Sequence, residues 1–158
     1  MVTGADLRDV MRAFPSGVAV LTVRAGDEEL AITIGSLACL SLEPALVGVS
    51  VGHASAMHEP LRHAAGFAIS ILAGDQAQLA QHFARSGLPP VARWTGVASR
   101  EGSHGRLLAG AGAWLECRRS GQHEVGDHTL FVGEVVSVER GTGAGGLSYR
   151  EGAYSPVA

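Results

Sequence analysis

The chain has 158 residues and a mass of 16.3 kDa, enough for one closed hydrophobic core but not for two separate binding domains. Hydrophobic residues make up 46% and charged residues only 17%, so we expect part of the apolar surface to be buried in a homodimer. A formal net charge of −3 and a pI near 6.1 exclude the basic surface that nucleic-acid binding requires.

The cysteines and the first residues indicate the compartment. Cys39 and Cys117 form no CxxC pair and stand in apolar, strand-like sequence, which predicts two buried free thiols. Asp6, Arg8 and Asp9 occupy positions where a secretory signal would be apolar. No apolar run reaches the roughly 18 residues that a membrane span needs. We therefore expect a cytoplasmic protein with no membrane partner.

The first predicted element is a helix over residues 4–14. Thr3 and Asp6 resemble a capping box at its start, and Pro15 and Gly17 end it. Apolar residues follow at the spacing of one helix face: Leu7, Val10, Met11 and Phe14.

The next part of the chain changes to the pattern of short strands. Apolar or β-branched runs, separated by Gly, Pro, Asp or Ser, are found at residues 18–23, 30–34, 45–51 and 67–73. A short helix is predicted within residues 55–64, with Ser55 near its start. Asp75 with Gln78 is predicted to cap a second helix.

The remaining sequence predicts a long excursion and a last pair of strands. Residues 87–112 are rich in Gly and Pro and are interpreted as an irregular lid or binding loop. Residues 113–119 and 129–139 are predicted to be two further strands, joined by a loop with Gly121 and Gly126. Six or seven antiparallel strands with a few inserted helices favour a small β-barrel with helical caps. Strands and helices do not alternate, which argues against a Rossmann sheet.

One segment has the composition of a cofactor site. Between Leu30 and Gly52 the only charge is Glu43, yet small hydroxyls recur at Thr33, Ser36, Ser41 and Ser50, with Ser55 just beyond. Apolar strands offer a dry wall to a planar ring, and hydroxyls with backbone N–H groups fix its polar edge. The alternative is that each hydroxyl only satisfies nearby backbone groups at strand ends.

Other catalytic motifs are absent or incomplete. Residues 141–146 match GxGxxG, but only twelve residues follow them, with no helix to receive a pyrophosphate. His58-Glu59 is followed by His63 at i+5, off the face that an HExxH zinc site uses, so we expect no metal. No serine stands in a GxSxG elbow. Chemistry without a protein nucleophile or metal favours a bound organic cofactor.

The chain resembles the flavin reductase-like family, the FMN-binding split barrels that serve two-component flavin monooxygenases. The resemblance rests on four groups of segments in the family's order: Phe14–Thr22; Ala31–Ser36 with Leu40–Pro44; Phe67–Leu72 with Gln76 and Phe83-Ala84; and Leu115–Cys117 with Gly126–Val135. The fold implied is a mainly β, antiparallel Greek-key split barrel with a few inserted helices, covering residues 1–158 as one domain.

The activity that the resemblance implies is reduction of free flavin by NADH or NADPH. Hydride passes from nicotinamide C4 to flavin N5, and reduced FMN or FAD goes to a partner monooxygenase. Proximity and alignment do most of this work. FMN or FAD remains open, as does NADH or NADPH, because Arg93, Arg100 and Arg106 could meet a 2′-phosphate or only solvent.

The resemblance also implies the site residues. His128 would face the nicotinamide as the catalytic residue, Phe83 would pack near the flavin, and Tyr154 would close the pocket. The remaining flavin-binding positions lie on the hydroxyl-rich segment: Thr33, Ile34, Gly35, Ser36, Ser41, Leu42, Ser50, Val51 and Ser55. The first three residues each have a structural alternative. His128 would only cap a strand through Asp127, Phe83 would only be part of a helix core, and Tyr154 would belong to a loose chain end.

Two positions depart from the family pattern. Gly35 stands where the family usually has a polar Asn or Ser, and Ala45 follows Pro44 where a Pro-Pro pair is usual. Gly35 leaves backbone contact alone at that point. The second hypothesis is therefore a flavin-binding protein without reductase turnover, and the third is a split barrel for haem or another cofactor, or a purely structural dimer.

Overall fold

The computed structural model describes residues 1–158, which form twelve strands and four helices. The helices are α1 Gly4–Met11, α2 His58–His63, α3 Ala77–Ala84 and α4 Pro90–Trp94. The strands are β1 Ser16–Gly17, β2 Ala19–Ala25, β3 Glu28–Ile34, β4 Ala38–Leu42, β5 Ala45–Gly52, β6 Gly66–Ile71, β7 Ser99–Glu101, β8 Arg106–Leu108, β9 Ala113–Val125, β10 His128–Arg140, β11 Gly146–Arg150 and β12 Ala153–Val157. None of the helices combines the length and the apolar character needed to span a membrane.

Seven of the strands form one antiparallel sheet. Their order is β3-β2-β6-β9-β10-β5-β4, so that β6 neighbours β9 and β5 neighbours β10 although neither pair is consecutive in the chain. These crossing connections agree with the predicted Greek-key type. A second sheet, β1-β11-β12, joins the residues after α1 to the end of the chain, and β7 pairs with β8.

The large sheet must curl, because its two edge strands follow one another in the chain. β3 ends at Ile34 and β4 begins at Ala38, so only Gly35, Ser36 and Leu37 connect the two edges. A connection of this length spans at most about 14 Å. The two edges therefore come together at this point without pairing along their length, and the mainly β, split-barrel fold is as predicted.

The alternation of side chains on β2 builds two separate cores. Leu21 and Val23 face the barrel interior, a first core that also holds Phe67 and Phe131. Val20 faces the other side, where α3 and the segments around β8 and β11 form a second core. Both faces of this strand are covered, which explains why its sequence is nearly continuously apolar.

Several local predictions are wrong. β4 was not predicted, and α1 ends at Met11 instead of residue 14. Residues 87–112 contain α4 and the β7–β8 hairpin, so they are not an irregular loop. β9 continues through Gly121 to Val125, because cross-strand pairing with β10 supplies the backbone hydrogen bonds that this weak strand sequence does not favour by itself.

The start of α3 also differs from the prediction. Asp75 makes no capping hydrogen bond there, and Gln76 occupies the N-cap position. The Gln76 side chain accepts from the Ala73 N–H at 2.9 Å and donates to the Ala109 carbonyl at 2.9 Å. It thus ties the helix entry to the segment after β8, a partner that only the folded chain supplies.

The two thiols lie in different environments. Cys117 is buried in the first core, and this burial raises its pKa to about 12. Cys39 is exposed on the edge strand β4, so the prediction that both thiols are buried is wrong for Cys39. A side chain on an edge strand can point away from the barrel even where the sequence around it is apolar.

Gly133 provides a test of the first core. A Cβ at this position on β10 would lie 2.6 Å from Cζ of Phe67 and 2.8 Å from Cβ of Cys117. We expect Gly133→Ala to lower the free energy of unfolding by about 1–3 kcal/mol through overpacking. Urea denaturation at fixed protein concentration measures it. Gly146→Ala on β11 is the matched control, because a Cβ added there would have no heavy atom within 4 Å. Equal effects of the two changes would contradict the close packing of Gly133 against the first core.

Candidate functional site

A cleft with a volume of about 360 Å³ opens beside the free edge of β3. Its walls are residues 30–32 of β3, residues 54–57 between β5 and α2, residues 83–88 at the end of α3, and Arg93. Most of the lining is apolar, with hydroxyls of Ser55 and Ser86 and two arginines as its polar groups. A few polar groups in an apolar cleft of this size are typical of a small-molecule site.

Two of the residues predicted to bind flavin line this cleft, namely Ser55 and Phe83. Phe83 also packs into the second core, with its ring centroid 5.3 Å from that of Trp94. The Ser55 hydroxyl accepts a hydrogen bond from the Met57 N–H at 3.2 Å, which shapes the turn before α2. Both residues therefore combine a structural contact with a place on the cleft wall.

The other predicted hydroxyls lie around the split between the strand edges, outside the cleft lining. Thr33 donates to the carbonyl of Ala80 in α3 at 2.6 Å. Ser36 donates to the carbonyl of Ser50 at 3.0 Å and accepts from its N–H at 3.1 Å. These two hydroxyls satisfy backbone groups, the structural alternative that the sequence left open. Ser41 and Ser50 are half-buried and their own hydroxyls make no hydrogen bond within the chain.

The predicted apolar contacts are divided between core and surface. Ile34 and Val51 are buried in the first core, so only their backbone can face a ligand. Leu42 is 82% exposed at the end of β4. Tyr154 lies outside the cleft lining, 4.9 Å from Tyr149 between ring centroids, and burial raises its pKa.

Gly35 has a steric reason in this chain. A Cβ here would lie 2.6 Å from the Oγ of Ser16 on β1, so the polar side chain that the family usually has would displace Ser16. The departure from the family pattern is therefore matched by a neighbouring hydroxyl that occupies the same space.

His128 begins β10 and lies opposite Gly52 of β5. Its Nδ1 is 2.7 Å from Oδ1 of Asp127. Because an ionised carboxylate can only accept, Nδ1 carries the proton, and this hydrogen bond lowers the pKa of Asp127. The Nε2 atom lies over Gly52, and two residues further along, Ala54 begins the cleft wall. His128 thus both makes the local contact with Asp127 and lies near the cleft wall.

Two arginines bring positive charge to the cleft: sequence reasoning missed Arg85 and considered Arg93 only for a nicotinamide 2′-phosphate or for solvent. Arg85 follows α3, and Arg93 is fixed in α4 by donating to the carbonyls of Glu29 and Leu88, both at 3.3 Å. The position of Arg85, directly after a predicted helix, is the signal that could have identified this charge. Arg100 and Arg106 are used elsewhere, stacked on Trp114 and Trp94.

Comparison with known families identifies this architecture. The model of the flavin reductase like domain matches residues 11–158, which include every strand, the cleft and His128. The chain belongs to the flavin reductase like domain family. The resemblance predicted from the four groups of segments is confirmed.

Solved flavin reductases have the same fold as this flavin reductase domain. The NADH:FAD oxidoreductase SgcE6 of Streptomyces globisporus, solved with NAD and FAD fragments, has a TM-score of 0.90 and 36% identity, covering 98% of this chain and 92% of that one. BorF, the flavin reductase component of a bacterial two-component tryptophan halogenase, has a TM-score of 0.90 and 33% identity over 98% of both chains.

A relative known by sequence is equally similar to this flavin reductase domain. The NADH-dependent FMN reductase AsuE2 of Streptomyces nodosus subsp. asukaensis is 37% identical over 157 residues, which are 96% of this chain and 84% of that protein. The likeness therefore extends over nearly the whole chain in both comparisons.

The role of Ser36 in this flavin reductase domain can be measured without ligand. We expect Ser36→Ala to lower the free energy of unfolding by about 1–3 kcal/mol, because the Ser50 N–H and carbonyl both lose their side-chain partner. Urea denaturation of the flavin-free protein measures this loss. Ser41→Ala, which removes a hydroxyl without a partner in the chain, serves as the control. A Ser36→Ala protein as stable as this control would show that the hydroxyl does not hold the split together.

Proposed function

We propose that this protein is an NADH-dependent flavin reductase that supplies reduced FMN or FAD to a partner monooxygenase through diffusion. The single observation that carries the proposal is the full-length likeness to SgcE6, a structure with NAD and FAD fragments. A further relative is the reductase component of a 4-nitrophenol monooxygenase of Rhodococcus opacus, 37% identical over 150 residues. Flavin binding without turnover is not favoured, since the relatives are named as reductases.

The cleft beside β3 fits the flavin. Its apolar walls suit an aromatic ring system, with Phe83 on one side and the Ala54–Met57 turn on the other. Arg85 and Arg93 supply positive charge for the flavin phosphate, which an otherwise apolar cleft would not hold. When bound, flavin supplies the electron-accepting ring for the hydride of dihydronicotinamide.

The residues around the split extend this site in our proposal. Ser41 and Ser50 have hydroxyls without a partner in the chain, so they are available to the polar edge of the flavin. Thr33 and Ser36 act by holding the walls in place, through Ala80 and Ser50. Backbone groups of Ile34, Gly35, Leu42 and Val51 line the same split, and Tyr154 closes it from the side of β12.

His128 positions the nicotinamide in this proposal. Its ring is held on one side by Asp127, whose carboxylate fixes the proton on Nδ1. In the neutral ring Nε2 is then an acceptor, available to a polar group of the nicotinamide nucleotide. The side chain is 47% exposed, so a second substrate can reach it from solvent.

The first test is NADH oxidation by the wild-type protein and by His128→Ala. We expect flavin-dependent oxidation by the wild type, and a fall of kcat/KM for NADH by about tenfold or more in the variant, since a positioning contact is lost. Flavin affinity, measured by fluorescence quenching, should change by less than about twofold, because His128 is outside the cleft that holds the flavin.

The control for this test is His123→Ala, an exposed histidine on the neighbouring strand β9. This change should leave both kcat/KM for NADH and the flavin affinity unchanged. If the wild-type protein with FMN and with FAD oxidises neither NADH nor NADPH above the rate without enzyme, the reductase proposal is wrong. If His123→Ala and His128→Ala lose activity equally, the specific role of His128 is wrong.

A homodimer is part of the proposal, and α1 supports it. This helix has no buried residue, yet Val10 on its apolar face is 71% exposed, and Phe14, three residues after its end, is 67% exposed. Val136 and Val138 are also exposed, near the end of β10. Leaving such a helix face in water costs the free energy that a second copy of the chain would recover by covering it.

We also propose a cytoplasmic location, where unpaired cysteines such as Cys39 and Cys117 are usual.

The dimer proposal predicts a mass twice the 16.3 kDa of the chain. Sedimentation velocity at micromolar concentration should give this mass for the wild type and the monomer mass for Val10→Glu, because a charge would be buried in the contact. Arg8→Glu, a change of charge without loss of apolar surface on the same exposed helix, is the control and should stay dimeric. A monomeric wild type at these concentrations would contradict the proposal.

A further inference from the structure

A cluster of three ligand-type side chains lies at one end of the barrel, outside the cleft. His53 follows β5, His58 begins α2, and Glu124 lies near the end of β9. One ligand atom from each, a ring nitrogen or a carboxylate oxygen, lies within 4.8 Å of the other two. In the sequence the two histidines are five positions apart and the glutamate is distant, so no linear motif indicates this cluster.

The imidazole rings are held in place by their neighbours. The His58 ring packs edge-on against His53 and Phe131, with centroid separations of 4.9 and 5.8 Å. His58 is buried, and its backbone N–H donates to the Ser55 carbonyl at 3.0 Å. The backbone N–H of His53 donates to the carbonyl of Asp127 at 2.9 Å. A site with fixed ligands loses little conformational entropy when it binds.

Glu124 is held as a carboxylate by two hydrogen bonds. Its Oε1 accepts from the Thr129 hydroxyl at 3.0 Å, and its Oε2 lies 2.7 Å from Nε2 of His53. These contacts lower the pKa of Glu124, with the Thr129 bond as the largest cause. Since the single hydroxyl proton of Thr129 goes to Glu124, Nε2 of His58 donates to Thr129 at 2.7 Å. Thr129 thus orients two of the three groups from behind.

The front of the cluster faces solvent. The side chains of His53 and Glu124 are 41% and 60% exposed, whereas Thr129 is fully buried. An ion could therefore enter from one side and keep water as a further ligand. Two histidines and one glutamate with an open position are a known zinc ligand set, and a ligating histidine is usually oriented by a hydrogen bond from its other ring nitrogen.

We propose that His53, His58 and Glu124 form a binding site for a divalent transition-metal ion, with zinc as the ion that the ligands match best. Imidazole nitrogens favour Zn²⁺ and Ni²⁺ over Mg²⁺, which prefers oxygen ligands and octahedral geometry. The proposal stands independently of the reductase activity.

The chain also contains a natural comparison for this site. Glu59 and His63 lie one turn apart on α2 with a 2.7 Å contact between Oε1 and Nε2, and both are exposed. This pair offers only two ligand groups and no buried partner behind them. If exposed His–Glu pairs alone explained metal binding, the pair on α2 would bind as well as the cluster.

The experiment is isothermal titration of the untagged full-length protein with ZnCl₂, NiCl₂ and MgCl₂. We expect one Zn²⁺ per chain, binding of Ni²⁺, and no binding of Mg²⁺. His53→Asn and Glu124→Gln are at exposed positions that should fold normally, which circular dichroism checks. Each should weaken Zn²⁺ binding by more than about tenfold, and Thr129→Val, which removes the orienting hydroxyl, by about tenfold. His63→Asn should leave the affinity unchanged.

Thermal unfolding gives a second readout that needs no activity. Zn²⁺ should raise the Tm of the wild type and of His63→Asn, because the ion binds only the folded site, and should not raise that of Glu124→Gln. Zinc affinity that is unchanged in both His53→Asn and Glu124→Gln would overturn the proposal. So would loss of binding in His63→Asn, or wild-type binding of Mg²⁺ as tight as that of Zn²⁺.

Discussion

The three-residue connection between β3 and β4 forces the large sheet to curl and thereby sets the position of the cleft. Gly35, Ser36 and Leu37 join the two outermost strands of a seven-stranded sheet, so the sheet must roll up until those edges meet. The edges meet at one end only, and they do not pair. β3 therefore keeps a free edge, and the cleft opens beside it with α3 and the turn after β5 as its other walls.

The hydroxyls near this connection show how the split is maintained. The Ser36 hydroxyl, just before β4 begins, serves as hydrogen-bond partner for the backbone N–H and carbonyl of Ser50. The Thr33 hydroxyl fastens α3 to β3. Unsatisfied backbone groups at a strand end are costly when they are shielded from water. The small hydroxyls that suggested ligand binding in the sequence thus first stabilise the walls, and a smaller number of them is left for a ligand.

The β9–β10 hairpin brings together groups that are distant in the chain. The two strands are joined only by Gly126 and Asp127, so Glu124 and His128 lie on either side of one tight turn. Pairing of β10 with β5 then places His128 opposite Gly52, directly before His53. One turn therefore positions both the proposed nicotinamide contact and the proposed metal ligand, on the side of the barrel where the cleft wall begins.

The fold class, the family and the approximate place of most strands could be predicted from the amino-acid sequence, because alternating apolar runs and ordered motifs are properties of short segments. It also named Ser55 and Phe83, which the structure places in the cleft. The folded chain was needed to show that Cys39 is exposed, that Arg85 and Arg93 line the cleft, and which hydroxyls already make hydrogen bonds within the chain. These outcomes depend on contacts between segments far apart in the chain, and a hydroxyl or arginine has the same local pattern whichever partner it meets.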